Sequence, residues 1–198
     1  MTLSQPQRIG LFILLALVMA GTRINHFSAM PDASWAVFLA AGFYLRGSMR
    51  WAFPLLMALA IFVDFLVINS QGLSFWNHYC MSAAYWFLLP AYAAMWFGGS
   101  LLRSQYHGVG LRSFGLLVVA TLAATSLCFL ISNGSFYWLS DSVATRSVNG
   151  WMQNLGDWYI PYLRTTAAYV CIAAAAHVIG TRWLRLLSEQ PHVSGHRG

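Results

Sequence analysis

Apolar residues along this 198-residue chain gather into six runs separated by polar stretches. The runs span roughly residues 8–24, 33–46, 51–70, 79–97, 112–132 and 157–183. In hydrocarbon every backbone N–H and C=O needs a partner within its own segment, so each run is expected to be a helix. The pattern therefore predicts an all-α integral membrane protein with six transmembrane helices. Ala33–Leu45 is short against the ~20 residues of a full crossing. It is expected either to tilt through a thinned region or to re-enter. The first run has one Arg, then Leu11–Val18, then small residues, which are features shared with a secretory leader. We read it as a span, because five remaining spans would put the C-terminal arginines on the wrong side.

Composition supports the membrane reading. Hydrophobic residues make up 59% and charged residues only 8%, against ~25% charged in soluble domains. That excludes an ordinary soluble domain and a disordered chain. Three cysteines are too few for a disulfide scaffold. The net charge of +6 is scattered between apolar runs, which argues against nucleic acid. All eleven basic residues are Arg. With the N-terminus in the cytoplasm, Arg8, Arg46, Arg50, Arg103, Arg112, Arg182, Arg185 and Arg197 fall inside. Only Arg23, Arg146 and Arg164 fall outside, as the positive-inside rule requires. Both termini are then cytoplasmic, with residues 1–187 as one six-helix domain and 188–198 as a disordered tail. The outer segments Thr22–Asp32, Asn69–His78 and Asn133–Gly156 are long and rich in polar and aromatic residues. They suit either an interfacial aromatic belt or a cover for a large flat ligand.

Few residues carry candidate chemistry. Asp64 lies in the third run, and a carboxyl at that depth costs at least ~2.5–3.5 kcal/mol unless it faces the protein interior or a cavity. Arg164 lies at a comparable depth in the last run and is the expected partner, as a structural ion pair or as part of a ligand site. Cys128 and Cys171 fall mid-run, where a thiol behaves as a small hydrophobe. Cys80 follows Trp76-Asn77-His78-Tyr79 and is expected to open the fourth helix at its outer mouth. The dipole and free N–H groups there favour a thiolate, and His78 stands close by. A single thiol is a soft ligand for a transition metal but too little for a zinc site. No protease, P-loop or nucleophile-elbow motif occurs. Gly98-Gly99-Ser100 is read as an inner loop, and His177 stands alone in the last run, which argues against haem. Ala16 and Ala20, four residues apart, permit close approach of another helix.

The segment Trp76-Asn77-His78-Tyr79-Cys80, with six runs in about 200 residues and the small pair on the first helix, resembles the BtuM family of cobalamin transporters. These belong to the substrate-binding S-components of energy-coupling-factor vitamin transporters. The resemblance runs from about Ile9 to Arg185 and has Cys80 as its distinctive residue. It implies an S-component-like bundle in the bacterial inner membrane that takes up a cobalt-containing corrinoid. Cobalamin is then the substrate, held base-off with Cys80 as axial cobalt ligand. Trp76, Tyr79, Tyr85 and Trp86 are expected to face the corrin ring. Asn77, Asn69, Ser82 and residues of 133–156, including Arg146, are expected to bond its amides, and His78 and Asp64 are expected at the same site. The implied partners are a transmembrane coupling subunit against the Ala16–Ala20 face and cytoplasmic ATPases. Thiolate donation weakens the bond trans to it, so Cys80-dependent decyanation of cyanocobalamin is a further expectation. The competing readings are a structural or assembly membrane protein without ligand and a thiol-dependent membrane enzyme.

Overall fold

The computed structural model describes residues 3–24, 31–77 and 82–188. Six α-helices carry the fold, with no strand among the described residues: α1 (Gln5–Arg23), α2 (Ser34–Tyr44), α3 (Met49–Ser70), α4 (Leu88–Ser104), α5 (Leu111–Leu139) and α6 (Val148–Ser188). Short 3-10 turns at Arg46–Ser48, Phe75–Asn77 and Ala83–Phe87 join them. Among the described residues, four stretches are long and apolar enough to cross a bilayer: Gln5–Arg23, Arg46–Ser70, Leu111–Leu139 and Val148–Leu184. At 11 and 17 residues, α2 and α4 are shorter.

Local chemistry explains several boundaries. Pro6 stands in the first turn of α1, where its missing N–H is no loss, and Gln7 Oε1 accepts the Ser4 N–H at 2.9 Å. Asp32 Oδ1 takes the Ser34 N–H at 2.9 Å, one of the donors that the start of α2 leaves without a helical partner. Gly72, at φ +74°, turns the chain after α3.

The surface is inverted relative to a soluble protein. Leu17, Val119, Ile172 and Ile179 are 64–67% exposed on the outer faces of α1, α5 and α6. Such a surface is stable in lipid and not in water. This is the surface of a helical membrane protein. The core lies around α2, which is buried along almost its whole length. Phe38 stacks on Tyr92 (4.5 Å between centroids) and meets Phe53 edge-on at 5.4 Å, and Phe53 meets Trp96 at 5.7 Å.

The closest packing joins α2 to α4. A Cβ at Gly42 would collide with the backbone of Trp96, and one at Gly99 with the carbonyl of Leu39. Ser100 Oγ donates to the Gly42 carbonyl at 3.1 Å. Gly98-Gly99-Ser100 is thus part of a helix, contrary to the expected loop. These small residues serve backbone approach rather than a turn. The expected fourth run, 79–97, also shifts: the α-helix begins at Leu88, behind the Ala83–Phe87 turn. The expected outer loop Asn133–Gly156 is largely helical, with only residues 140–147 between α5 and α6. Two hydrogen bonds tie the hairpin together: Asn133 Nδ2 donates to Asn154 Oδ1 at 2.6 Å, and Tyr137 OH to the Ser147 carbonyl at 3.1 Å. Residues 189–198 of the expected tail lie outside the described residues, and Ser188 ends α6.

Gly99→Val is expected to cost about 2–3 kcal/mol through overpacking, read as a lower unfolding midpoint in detergent. Gly115→Ala, where a Cβ meets nothing within 4 Å, should match or slightly exceed wild type. A wild-type midpoint for Gly99→Val would contradict the close α2–α4 contact.

Candidate functional site

A cavity of about 370 Å³ sits at one end of the bundle. All six helices contribute to it from alternating ends. Arg23 comes from the end of α1, Trp35 from the start of α2 and Asp64 from the last third of α3. Tyr92 comes from the start of α4, Phe136 from the end of α5 and Trp158 from the first half of α6. The chain therefore reverses direction at each connection, and the start of α1 and the end of α6 share the opposite end.

Arg23 forms the floor. It is the last residue of α1 and its side chain is 7% exposed. A buried guanidinium is tolerated only when its donors are matched. Here Nε gives a 2.7 Å bond to Asp64 Oδ1, and Nη2 gives a 2.7 Å bond to Asp64 Oδ2. This is the bidentate fork that arginine favours. Nη1 reaches Asp32 Oδ2 at 2.9 Å, Tyr92 OH at 3.0 Å and Ser34 Oγ at 3.1 Å. Tyr85 OH donates to Asp64 Oδ2 at 2.8 Å. One guanidinium thus holds two carboxylates and ties the end of α1 to α2, α3 and α4. Aromatic walls rise above this floor: Trp35 stacks on Tyr162 with centroids 4.9 Å apart, and both line the cavity.

The Asp64 partner expected from depth was Arg164, and this is corrected. Arg164 is exposed on α6, and Arg23 takes the carboxylate instead. Depth in a helix fixes the level of a side chain but not its angle around the bundle. Arg23 had a readable signal: it is an outer arginine at the end of a span, against the positive-inside bias, which calls for a counter-ion.

Of the residues expected at a ligand site, the fold brings Asp64 and Tyr85 to the cavity. Trp76 is 76% exposed and packs edge-on against buried Phe75 at 5.4 Å. Asn77 closes the same 3-10 turn. Trp86 and Asn69 are exposed and outside the cavity lining. The Ser82 hydroxyl oxygen is buried without a hydrogen-bond partner. Arg146 donates to the Ser140 carbonyl at 2.9 Å and lies 3.9 Å from exposed Asp141, on the α5–α6 connection. Cys128 is buried and Cys171 exposed. His78, Tyr79 and Cys80 lie outside the described residues, as does His26. The fourth helix, whose dipole was expected to favour a Cys80 thiolate, begins as an α-helix at Leu88. Ala16 and Ala20 are half-buried, and Ala16 packs on the protein's own core. The exposed stripe beside them is Ile13, Leu14, Leu17 and Val18. Among the described residues no three His, Cys, Asp or Glu converge as a metal site.

No protein-family model matches the chain, and no curated protein is significantly similar to it.

The Arg23–Asp64 pair makes a quantitative prediction. Arg23→Gln alone leaves two part-buried carboxylates without their shared counter-charge and should cost about 3–5 kcal/mol. Adding Asp64→Asn should recover part of that loss, giving a coupling of about 1–3 kcal/mol in a double-mutant cycle on unfolding. Additive effects would contradict a pair that anchors the floor.

Proposed function

We propose that the chain is a corrinoid-binding transport subunit of the bacterial inner membrane, an S-component in type. In this reading the corrin sits in the Arg23–Asp64 cavity and Cys80 is the axial ligand to cobalt. The observation that carries the reading is convergence at one end of the bundle. The cavity, its carboxylates and its aromatic walls share that end with the end of α3 and the start of α4, and Cys80 falls between these two helices in the sequence. A corrin ring is flat and apolar with amides on its rim. Rings such as Trp35, Tyr162 and Trp158 suit its faces, and carboxylate and hydroxyl oxygens such as those of Asp64 and Tyr85 accept from amide N–H groups. Cobalt takes a soft thiolate. The substrate's own lower base is displaced, so the ring binds base-off.

In this reading all six helices cross and both termini are cytoplasmic. The alternation of helix ends at the cavity supports six passes, and the arginine bias supports the orientation. The short α2 is wrapped by protein, so it need not match the full bilayer thickness with apolar residues of its own. The cavity then opens outward. Energy comes from partners, since the sequence carries no nucleotide-binding motif: a transmembrane coupling subunit against α1, beside Ala16 and Ala20, and cytoplasmic ATPases. A thiolate trans to the upper ligand also favours loss of cyanide from cyanocobalamin, a decyanation accompanying uptake.

The test is an absorption spectrum of protein purified with cobalamin. Wild type should retain a coloured corrinoid with a spectrum altered from the free form, and Cys80→Ala should lose or change that colour. A colourless wild type overturns the reading. Cyanocobalamin mixed with wild type under reductant should shift spectrally, and Cys80→Ala should leave it unchanged.

A further inference from the structure

The opposite end of the bundle holds a second void, a cleft of about 150 Å³ between α2, α5 and α6. Ala36 and Ala40 of α2, Phe114 and Leu117 of α5, and Ala173 and Ala174 of α6 form much of its wall. Phe114 is 61% exposed and Val109 43%, so the cleft opens sideways onto the lipid-facing surface.

Among the described residues four polar side chains line it, and each is already engaged. His177 lies between two tyrosines, Nδ1 at 2.7 Å from Tyr44 OH and Nε2 at 2.7 Å from Tyr106 OH. Ser113 Oγ donates to the Gly108 carbonyl at 2.6 Å. These bonds leave little for a polar guest, and apolar walls of this kind stay dry.

The rim has the complementary property. Arg8, Arg46, Arg50, Arg103, Arg112 and Arg182 all belong to this end of the bundle. The described carboxylates Asp32, Asp64, Asp141 and Asp157 all belong to the other end. Arg103 lies over two rings that line the cleft, 5.3 Å from the Phe43 centroid and 5.8 Å from that of Tyr106, and two exposed arginines neighbour lining residues along their helices. Arg182 follows Ala174 and Val178 at four-residue steps on one face of α6, and Arg112 lies beside Ser113 in the first turn of α5.

We infer that this cleft is a binding site for an anionic phospholipid, with one acyl chain between α5 and α6 and the phosphate at Arg112 and Arg182. Basic pockets between helices at a membrane surface bind anionic head groups in this way. The lipid wedges α6 against α2 beside the His177 clasp. The inference is independent of what the Asp64 cavity binds.

The test is native mass spectrometry of the full chain with phosphatidylglycerol or phosphatidylcholine added. Wild type should retain one phosphatidylglycerol at least fivefold more strongly than phosphatidylcholine. Replacing both Arg112 and Arg182 by Gln should weaken phosphatidylglycerol by about fivefold for each arginine, erasing the preference. Ala174→Phe, which fills the cleft, should abolish retention of either lipid, and Ala173→Leu is the milder version should the first not fold. Soluble glycerol phosphate should not compete, because the acyl chain carries part of the affinity. Equal retention of the two lipids by wild type overturns the inference. So does undiminished phosphatidylglycerol binding in the arginine variant, undiminished binding in a folded cleft-filled variant, or full competition by glycerol phosphate. The arginine variant changes only exposed side chains and decides the matter even if neither cleft-filled variant folds.

Discussion

A guanidinium buried at the end of α1 fastens four helices at one point. Arg23 reaches Asp64 on α3, Asp32 and Ser34 at the start of α2, and Tyr92 on α4. Burying these charges is costly, and the cost is offset only because the fork geometry is matched on all sides. The arrangement contributes a fixed shape more than net stability. Asp64 cannot swing away, and Tyr85 is held at its free edge. The result is a cavity floor with polar atoms in set positions, which a floor of solvated, mobile side chains would not provide.

The rest of the bundle is organised around α2. It carries Trp35 into the charged cavity at one end and Phe43 and Tyr44 into the apolar cleft at the other. Between them, Phe38 is fully buried on Tyr92. The contact with α4 is close enough that glycine is needed on both sides, at Gly42 and Gly99. A helix so enclosed meets protein rather than lipid, so it can be 11 residues long inside a membrane fold. The two ends then differ in chemistry as well as in position. One gathers the described carboxylates, and the other gathers arginines around an apolar slot.

Much of this was legible in hydropathy, because the solvent for most of the chain is lipid. The six apolar runs correspond to six helices, and the deep carboxyl of Asp64 pointed to a charged partner within the protein. The errors share one cause: a linear pattern carries no angular or pairwise information. Arg164 matched Asp64 in depth but lies on an exposed face of α6. Gly98 and Gly99 read as a loop because the partners that need their lack of a side chain, Ala124 of α5 for Gly98 and Leu39 of α2 for Gly99, are far away in the sequence. Asn133 and Asn154 read as loop because they find each other only once α5 and α6 extend side by side. His177 read as solitary for the same reason, since its two tyrosines are 133 and 71 residues away. Cys80 rests on its sequence neighbourhood alone.

The proposed corrinoid binding therefore turns on whether the Cys80 sulfur ligates cobalt. Cobalt K-edge X-ray absorption on the purified chain loaded with cobalamin reads the metal's neighbours directly. The account predicts one sulfur scatterer in the first coordination sphere that vanishes in Cys80→Ser. A cobalt surrounded only by nitrogen, carbon and oxygen in the wild-type complex would contradict it.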